Sequence, residues 1–478
     1  MNYRMVLYTL GWVLNFEAVC MLLPFLCGAV FHEQEAIYFI ICALLCTAFG
    51  ILLTFRRPKN KTMYSKEGFV IVAFCWIIMS IFAALPFVIS KSVPSFINAL
   101  FETVSGFTTT GATILDDIEA LPKCMLFWRS FTHWLGGMGV LVFIVSILPL
   151  SGGNNLYLMK AESPGPSVSK LVPRIKTSAK LLYEIYTAMT LLEMLFLVFG
   201  GVSVFEAVTL SFSTAGTGGF ATLNSSVAEY SSYVQIVLTV FMVLFGVNFT
   251  LYYLILVKRF KEIIHSEELK VYLGIIICAS VIICINVSGM FTSVAEALKH
   301  SAFQVASVIT TTGFTTVDFD KWPALSKSIL VLLMFIGACA GSTGGGMKVS
   351  RILIALKSVV KELKIMAHPK STHKISVDNR LIEHEVIRSV NVYIVSYAVI
   401  FIISMLIISL DNFSFTTNFT AVATLINNVG PGLDGVGPIH NFNDFSVLSK
   451  VVLIADMLIG RLEIFPILVL FSPYTWKR

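Results

Sequence analysis

Apolar residues arrive in long runs, and polar positions are confined to short clusters between them. The first two runs, residues 6–30 and 36–55, each approach the ~20 residues a helix needs to cross a bilayer core. A short acidic turn with Glu33 and Glu35 separates them, and the basic linker 56–66 follows. The first run lacks a small-residue cleavage site and is succeeded at once by the second, so it reads as a retained anchor and not a signal peptide. From Gly68 onward one plan is repeated four times, and repetition of this kind governs the fold. Each unit holds a long apolar span, a half-length helix, a Thr/Gly stretch and a second long span. The first spans are predicted at 68–90, 181–200, 271–287 and 390–410, the second at 125–150, 233–257, 328–357 and 446–471.

The half-length helices carry readable start signals. Ser95, Ser203 and Ser414 each stand sixteen residues before a key glycine, and Ser203 with Glu206 fits a capping box. Ser293 with Glu296 fits the same box but lies twenty residues before Gly313, which predicts a third half-helix one turn longer. About ten helical residues are too few to span a bilayer, so these segments enter and turn back. Their C-terminal ends, where the helix dipole is negative, then face the Thr/Gly stretches and favour a cation there. The expected fold is an all-α polytopic membrane protein: four pseudo-repeated units of span, pore helix, filter and span around a central pore, behind two extra transmembrane helices. Its parts are residues 1–66 (two helices and a cytoplasmic linker), 67–178 (pore unit 1), 179–268 (pore unit 2), 269–388 (pore unit 3 with an intramembrane loop and a cytoplasmic linker) and 389–478 (pore unit 4).

Composition agrees with the pattern, because 56% of the 478 residues are hydrophobic and only 13% charged, far from a soluble profile. The net charge of +6 does not point to nucleic acid. Lys and Arg gather in linkers, as orientation by the positive-inside rule requires, and this places both chain ends in the cytoplasm. Such linkers carry Lys160, Lys170, Arg174, Lys176 and Lys180, then Lys258, Arg259, Lys261 and Lys270, then Lys361, Lys364, Lys370 and Lys374. The opposite side carries Asp116, Asp117, Glu119, Asp318, Asp320, Asp434 and Asp444, an acidic mouth that gathers cations. The nine cysteines show neither a disulfide framework nor a zinc spacing.

The four Thr/Gly stretches are residues 105–113, 213–222, 307–316 and 424–432, each with a Ser or Thr six residues before a glycine. Runs of Thr ending in Gly make poor helix, since β-branched side chains crowd the preceding turn and Gly loses most backbone freedom. Extended backbone at membrane depth survives only where protein covers it or where it lines a watery cavity. A ring of inward carbonyls that replaces the hydration shell of a potassium-sized ion is such a cavity.

With the motifs Thr-Thr-Thr-Gly-Ala-Thr at 108–113, Phe-Trp-Arg-Ser-Phe-Thr at 127–132, Trp-Leu-Gly-Gly-Met-Gly at 134–139, Thr-Thr-Thr-Gly-Phe-Thr-Thr at 310–316, Gly-Ser-Thr-Gly-Gly-Gly-Met-Lys at 341–348, Asn-Asn-Val-Gly-Pro-Gly at 427–432 and Gly-Arg-Leu-Glu-Ile-Phe-Pro at 460–466, the chain resembles the TrkH/KtrB family of bacterial potassium transport subunits. The likeness runs from Gly68 to the end, and the extra pair of spans is similar to the TrkH branch. It implies that potassium, as the transported ion, is held by Thr109, Thr110 and Gly111, by Thr217, Gly218 and Gly219, by Thr311, Thr312 and Gly313, and by Asn428, Val429 and Gly430. In sodium-favouring relatives a Ser replaces the first unit's glycine, so the retained Gly111 implies potassium. Unit 2 departs from the pattern by having Gly218 where Thr is expected. The resemblance further implies a homodimer in the inner membrane and a cytoplasmic nucleotide-binding regulatory subunit resembling TrkA; no dinucleotide fingerprint occurs in this chain.

The glycine-rich run Gly341, Ser342, Thr343, Gly344, Gly345 and Gly346 interrupts the third unit's second span, and such irregular backbone lines a cavity. By resemblance it is a movable loop that blocks the path beneath the filter. As a phosphate loop it fails, because Met347 stands where that motif needs Lys and no soluble strand precedes it. Arg461 lies within the last span, where charge is costly and functional, and is expected to close the lower pore by facing the glycine loop, with pairing to Asp456 or Glu463 as the plainer role. Arg129 is expected to anchor near the membrane interface, and His133 and His440 lack support as ligands. Glu383, His384 and Glu385 precede Arg388 where a zinc-protease helix needs its second His, and read as a solvated face.

These readings lead to gated potassium uptake through a central pore. The alternative is potassium symport coupled to protons or sodium; it asks for acidic residues within the spans, of which few occur (Glu184, Glu193, Asp456, Glu463). An embedded hydrolase would need a nucleophile with a base or a metal cluster, and neither pattern is present, so the chain does not read as an enzyme.

Overall fold

The computed structural model describes residues 1–58, 63–139, 175–369, 373–378 and 380–476. The end of the predicted span 125–150, and Lys160, Lys170, Arg174 and Lys370, lie outside them. The described residues are mostly helical, with one two-residue antiparallel ribbon among them, β1 (Ser376–Val377) and β2 (Arg380–Leu381), in the linker between units 3 and 4.

Helices α1 (Tyr3–Cys20) and α2 (Leu22–Val30) run on as one span, and α3 (Ala36–Thr54) returns beside them. Their approach is close because Gly11 and Gly50 face each other: a Cβ on Gly11 would sit 2.8 Å from the Gly50 carbonyl. Unit 1 consists of α4 (Ser65–Ile89), the half-helix α5 (Phe96–Phe107) and α6 (Lys123–Gly137). Unit 2 consists of α7 (Ile175–Phe199), the half-helix α8 (Val204–Gly216), α9 (Ser232–Phe245) and α10 (Phe249–Leu256). After the short α11 (Phe260–His265), unit 3 holds α12 (Glu267–Val287), the half-helix α13 (Val294–Ile309), α14 (Ala324–Ile336) and α15 (Val349–Ala367). Unit 4 holds α16 (His384–Ile408), the half-helix α17 (Phe415–Ile426), α18 (Val447–Arg461) and α19 (Phe465–Phe471), and α20 (Pro473–Trp476) follows. Among the described residues six helices are long and apolar enough to cross a membrane, and their outward faces carry side chains such as Leu52, Ile285 and Leu406. The protein is a polytopic membrane protein.

The half-helices begin largely where their start signals place them. Ser203, Ser293 and Ser414 accept from the backbone N–H three residues on, whereas Ser95 makes no such bond. The capping boxes are not reciprocal, because Ser203 donates to the Glu206 carboxylate and Glu296 reaches past its cap to Thr292. Helix α13 has 16 residues against 12 or 13 in the others, the expected extra turn.

The second spans differ from the sequence expectation, which made those of units 2 and 4 continuous. Helices α9 and α10 meet at 90°, broken at Gly246 to Asn248, where the Asn248 side chain caps the new helix. In unit 4 the break lies at Leu462 to Ile464, where Glu463 and Ile464 adopt left-handed φ values of 55° and 68° and Pro466 opens the following helix. Arg461 therefore ends a helix and is not embedded in the middle of one.

Arg129 also corrects the sequence reading, for it is no interfacial anchor. Its side chain is buried and pairs with Glu102 of half-helix α5 at 2.6 Å, with the guanidinium 4.0 Å above the Phe220 ring of unit 2. Glu102 also accepts from Thr113 Oγ1 at 3.1 Å and Ile114 N at 3.2 Å, so the pair braces the end of the first Thr/Gly stretch. Removing one member of a buried ion pair strands the other's charge, at a cost of about 3–5 kcal/mol. Arg129→Ala is therefore expected to lower the unfolding temperature in detergent sharply. The double variant Arg129→Met with Glu102→Gln should recover much of the loss.

Candidate functional site

Each half-helix ends in the same way, and the ending builds the Thr/Gly stretch. In unit 1, Thr109 N donates to Gly106 O at 3.1 Å and Thr110 N to Ser105 O at 2.9 Å. The corresponding bonds are Thr217 to Thr214 and Gly218 to Ser213, Thr311 to Val308 and Thr312 to Ser307, and Asn428 to Leu425 and Val429 to Thr424. This is the Schellman arrangement, whose hinge residue is left-handed and usually Gly. Here the hinges are Thr109, Thr217, Thr311 and Asn428, with φ between 54° and 59°, a region that β-branched residues avoid. The Ser or Thr six residues before each glycine supplies the carbonyl that anchors the turn.

Two residues after each hinge the backbone turns left-handed again, at Gly111, Gly219, Gly313 and Gly430, with φ from 77° to 99°. Reversing the sign of φ at alternate residues turns successive carbonyls to one side, whereas in a strand the pleat alternates them. The four glycines also lie against one another in a closed circuit. A Cβ on Gly111 would strike the Gly218 carbonyl, one on Gly219 that of Thr312, one on Gly313 that of Val429, and one on Gly430 would come within 2.6 Å of Thr110 O. Residues 109–111, 217–219, 311–313 and 428–430 are thus brought together as expected. Among the described residues, none of their twelve carbonyls accepts a hydrogen bond.

Gly218, the exception in unit 2, has a packing reason. A Cβ there would enter the ring of His133, which is buried with Nδ1 2.8 Å from Gly106 O and its ring centroid 4.2 Å from that of Phe220. His133 replaces side-chain volume that Thr110, Thr312 and Val429 supply in the other units. Beyond the glycines a second circuit joins neighbouring units. Asn224 links to Glu119 and Ile118, Val227 N donates to Thr315 O, Asp434 N donates to Asp320, and Phe442 N donates to Thr113 O. Several acids of the expected cation-gathering mouth are engaged here: Asp116 accepts from Asn441 and Asn443, and Asp318 and Asp320 pair with Lys321 and Lys327. Hydrogen bonds from the Ser414 and Thr417 hydroxyls hold the Asp434 carboxyl below the usual carboxylate range.

On the other side of the circuit lies the glycine run. Gly345 N donates to Thr311 Oγ1 at 2.6 Å and Gly346 N to Asn427 O at 3.0 Å, so the loop is bonded to the ends of two of the four stretches. Phe249 N donates to Gly341 O at 3.0 Å, tying the break in unit 2 to the same loop. Arg461 faces the loop as expected, donating to Thr343 O at 2.7 Å and to Gly136 O and Gly137 O at 2.5 and 2.6 Å. These last two carbonyls end α6, where a helix is partly negative. Its two suggested partners have others, since Asp456 accepts from Ser404 and Glu463 pairs with Arg351. A cavity of about 100 Å³ beside the loop is lined by Trp76, Gly137, Gly344, Gly346, Lys348 and Arg461.

Lys348 was missed from the sequence as a site residue. Its ammonium is buried against the Gly344 carbonyl, and its backbone is left-handed with φ 77°. The available signal was its place one residue beyond three consecutive glycines, with only Met347 between. The arrangement gathers unpaired peptide oxygens on one side of the glycine run and the basic side chains of Lys348 and Arg461 against the run itself.

Known proteins share this organisation. A family model described as "TrkH: Cation transport protein" matches residues 35–477. The Trk system potassium uptake protein TrkH of Salmonella typhimurium is 37% identical over 100% of both chains, and that of Escherichia coli strain K12 is 36% identical over the same share. The crystal structure of the potassium transporter TrkH from Vibrio parahaemolyticus matches with a TM-score of 0.89 at 32% identity, covering 100% of each chain. With a family match from residue 35 to 477 and relatives of this identity along the whole chain, the protein belongs to the TrkH family of cation transport proteins.

Proposed function

We propose that this protein takes up potassium across a bacterial inner membrane through a gated, potassium-selective central pore. The observation that carries the reading is the set of twelve carbonyls, nine of them on buried residues, without a hydrogen-bond donor among the described residues. Buried carbonyls are rarely left unpaired, and a dehydrated potassium ion is a partner that satisfies a whole ring of them. The filter is residues 109–111, 217–219, 311–313 and 428–430, and the negative ends of four half-helices add to its attraction for a cation. Below it the glycine loop 341–346 holds the path shut by its bonds to Thr311 and Asn427. Arg461 reinforces the closure: at an effective permittivity of about 20, a unit charge roughly 8 Å from an ion opposes it by roughly 2 kcal/mol.

The printed names of the relatives, Trk system potassium uptake proteins, support potassium as the ion and a multi-component system. In this reading the chain works as a homodimer with a cytoplasmic nucleotide-binding subunit that withdraws the loop. Passive flux is favoured over symport because unpaired oxygens line the proposed path, while Asp456 and Glu463 are committed to Ser404 and Arg351 away from the filter.

Potassium flux into protein-only liposomes, with no proton or sodium gradient imposed, tests the function directly. Flux should occur; strict dependence on either gradient would establish symport instead. Gly313→Ser places a side chain against the Val429 carbonyl and is expected to lower the potassium-to-sodium flux ratio about tenfold, a loss of about 1.4 kcal/mol of discrimination. An unchanged ratio would remove Gly313 from the filter. Arg461→Ala should raise basal potassium flux on the order of tenfold, whereas Arg461→Lys, which keeps the charge, should stay near the parent.

A further inference from the structure

Glu268 stands in the first turn of α12, where an acidic residue ordinarily does no more than complement its own helix dipole. Its carboxylate is turned elsewhere. Oε1 accepts from Ala340 N at 2.7 Å and from Ser350 N at 3.2 Å. Ala340 is the last residue before the glycine run, and Ser350 is the second residue of the helix that follows it. One oxygen thus gathers both stems of the loop, two backbone donors ten positions apart in sequence. The second of these is an orphan amide of α15, whose N-cap residue Lys348 makes no side-chain cap bond. Between the two clasped amides lie the loop residues bonded to Thr311, Asn427 and Arg461.

We infer that Glu268 is a positioning residue for gating: its carboxylate pins the two stems of the glycine loop together and so keeps the loop bonded beneath the filter. The inference rests on the reading of that loop as the gate. The turn that carries Glu268 is in turn joined to the ribbon β1–β2. Glu267 N donates to Asp378 Oδ1 at 2.6 Å, and Lys357 both pairs with the Glu267 carboxylate and donates to Ser376 O at 2.7 Å. A displacement of the ribbon therefore acts on the same helical turn as the clasp, 30 residues or more in sequence from the loop it leads to.

The test is basal potassium flux in liposomes containing the full chain alone, with potassium and sodium measured in parallel. Glu268→Ala should raise basal flux at least about tenfold, the shift expected when charge-assisted hydrogen bonds that favour one state are lost. The potassium-to-sodium ratio should be unchanged, because Glu268 touches no filter residue. Glu268→Gln keeps a neutral acceptor oxygen in place and should raise flux only about two- to threefold. Gly345→Ala, whose added Cβ would strike the Asn427 carbonyl, serves as the control that disturbs the loop itself. If Gly345→Ala raises flux and Glu268→Ala does not, the clasp is wrong and the gate stands. If neither variant raises flux, both fail. A rise accompanied by lost potassium preference would mark general loosening and also overturn the clasp. Should Glu268→Ala not fold, Glu268→Gln decides, and parental flux in it counts against the inference.

Discussion

The structure depends on backbone carbonyls that receive no donor from the protein. Four helices end on Schellman turns that spend the next two amide N–H groups backward, on helix carbonyls, as between Thr110 and Ser105 or Val429 and Thr424. Two of the three amide donors of each stretch are thereby used, and its acceptors are left over. A single such segment in an apolar setting costs free energy with nothing to offset it. Four that meet bring their oxygens to one place, which in the proposed function a single cation occupies.

The glycine run is equally irregular, yet its hydrogen bonding is the reverse. Its amides donate to Thr311 Oγ1 and Asn427 O, its carbonyls accept from Phe249 N and from Arg461 and Lys348, and its stems are held by Glu268. Irregular backbone whose groups are satisfied by neighbours stays put at membrane depth. The breaks in the second spans of units 2 and 4 serve this loop as well. The break at Gly246 to Asn248 meets Gly341, and the break after Arg461 lets the guanidinium reach three carbonyls at once.

Departures from fourfold symmetry have local steric and electrostatic causes. Gly218 is small because His133 occupies the space behind it. Unit 1 is braced by the buried pair of Arg129 and Glu102, unit 3 by Ser307 Oγ donating to Phe314 O at 2.7 Å, and unit 4 by Thr420 Oγ1 donating to Leu433 O at 3.2 Å. Different side chains thus fasten the far ends of these three stretches to their own half-helices.

The sequence by itself determined the membrane class, the four units, the half-helices, the extra turn of the third and the stretches that meet, because each of these follows from local periodicity, capping and glycine placement within a few residues. It also pointed Arg461 at the glycine run, since charge inside an apolar span has few acceptable partners. Only the tertiary structure decided the breaks in the second spans of units 2 and 4, although Gly246, Asn248 and Pro466 were faint signals, because a helix breaks at such residues only when a neighbour takes up the freed groups. Arg129 looked interfacial by its place one turn into a span; burial beside Glu102 depends on which face of α5 packs against α6, and that register is not written in either segment. Lys348 and Glu268 were hidden for the same reason. Their roles come from backbone atoms far away in the chain, and a bond to a distant main-chain group leaves no mark in composition or spacing.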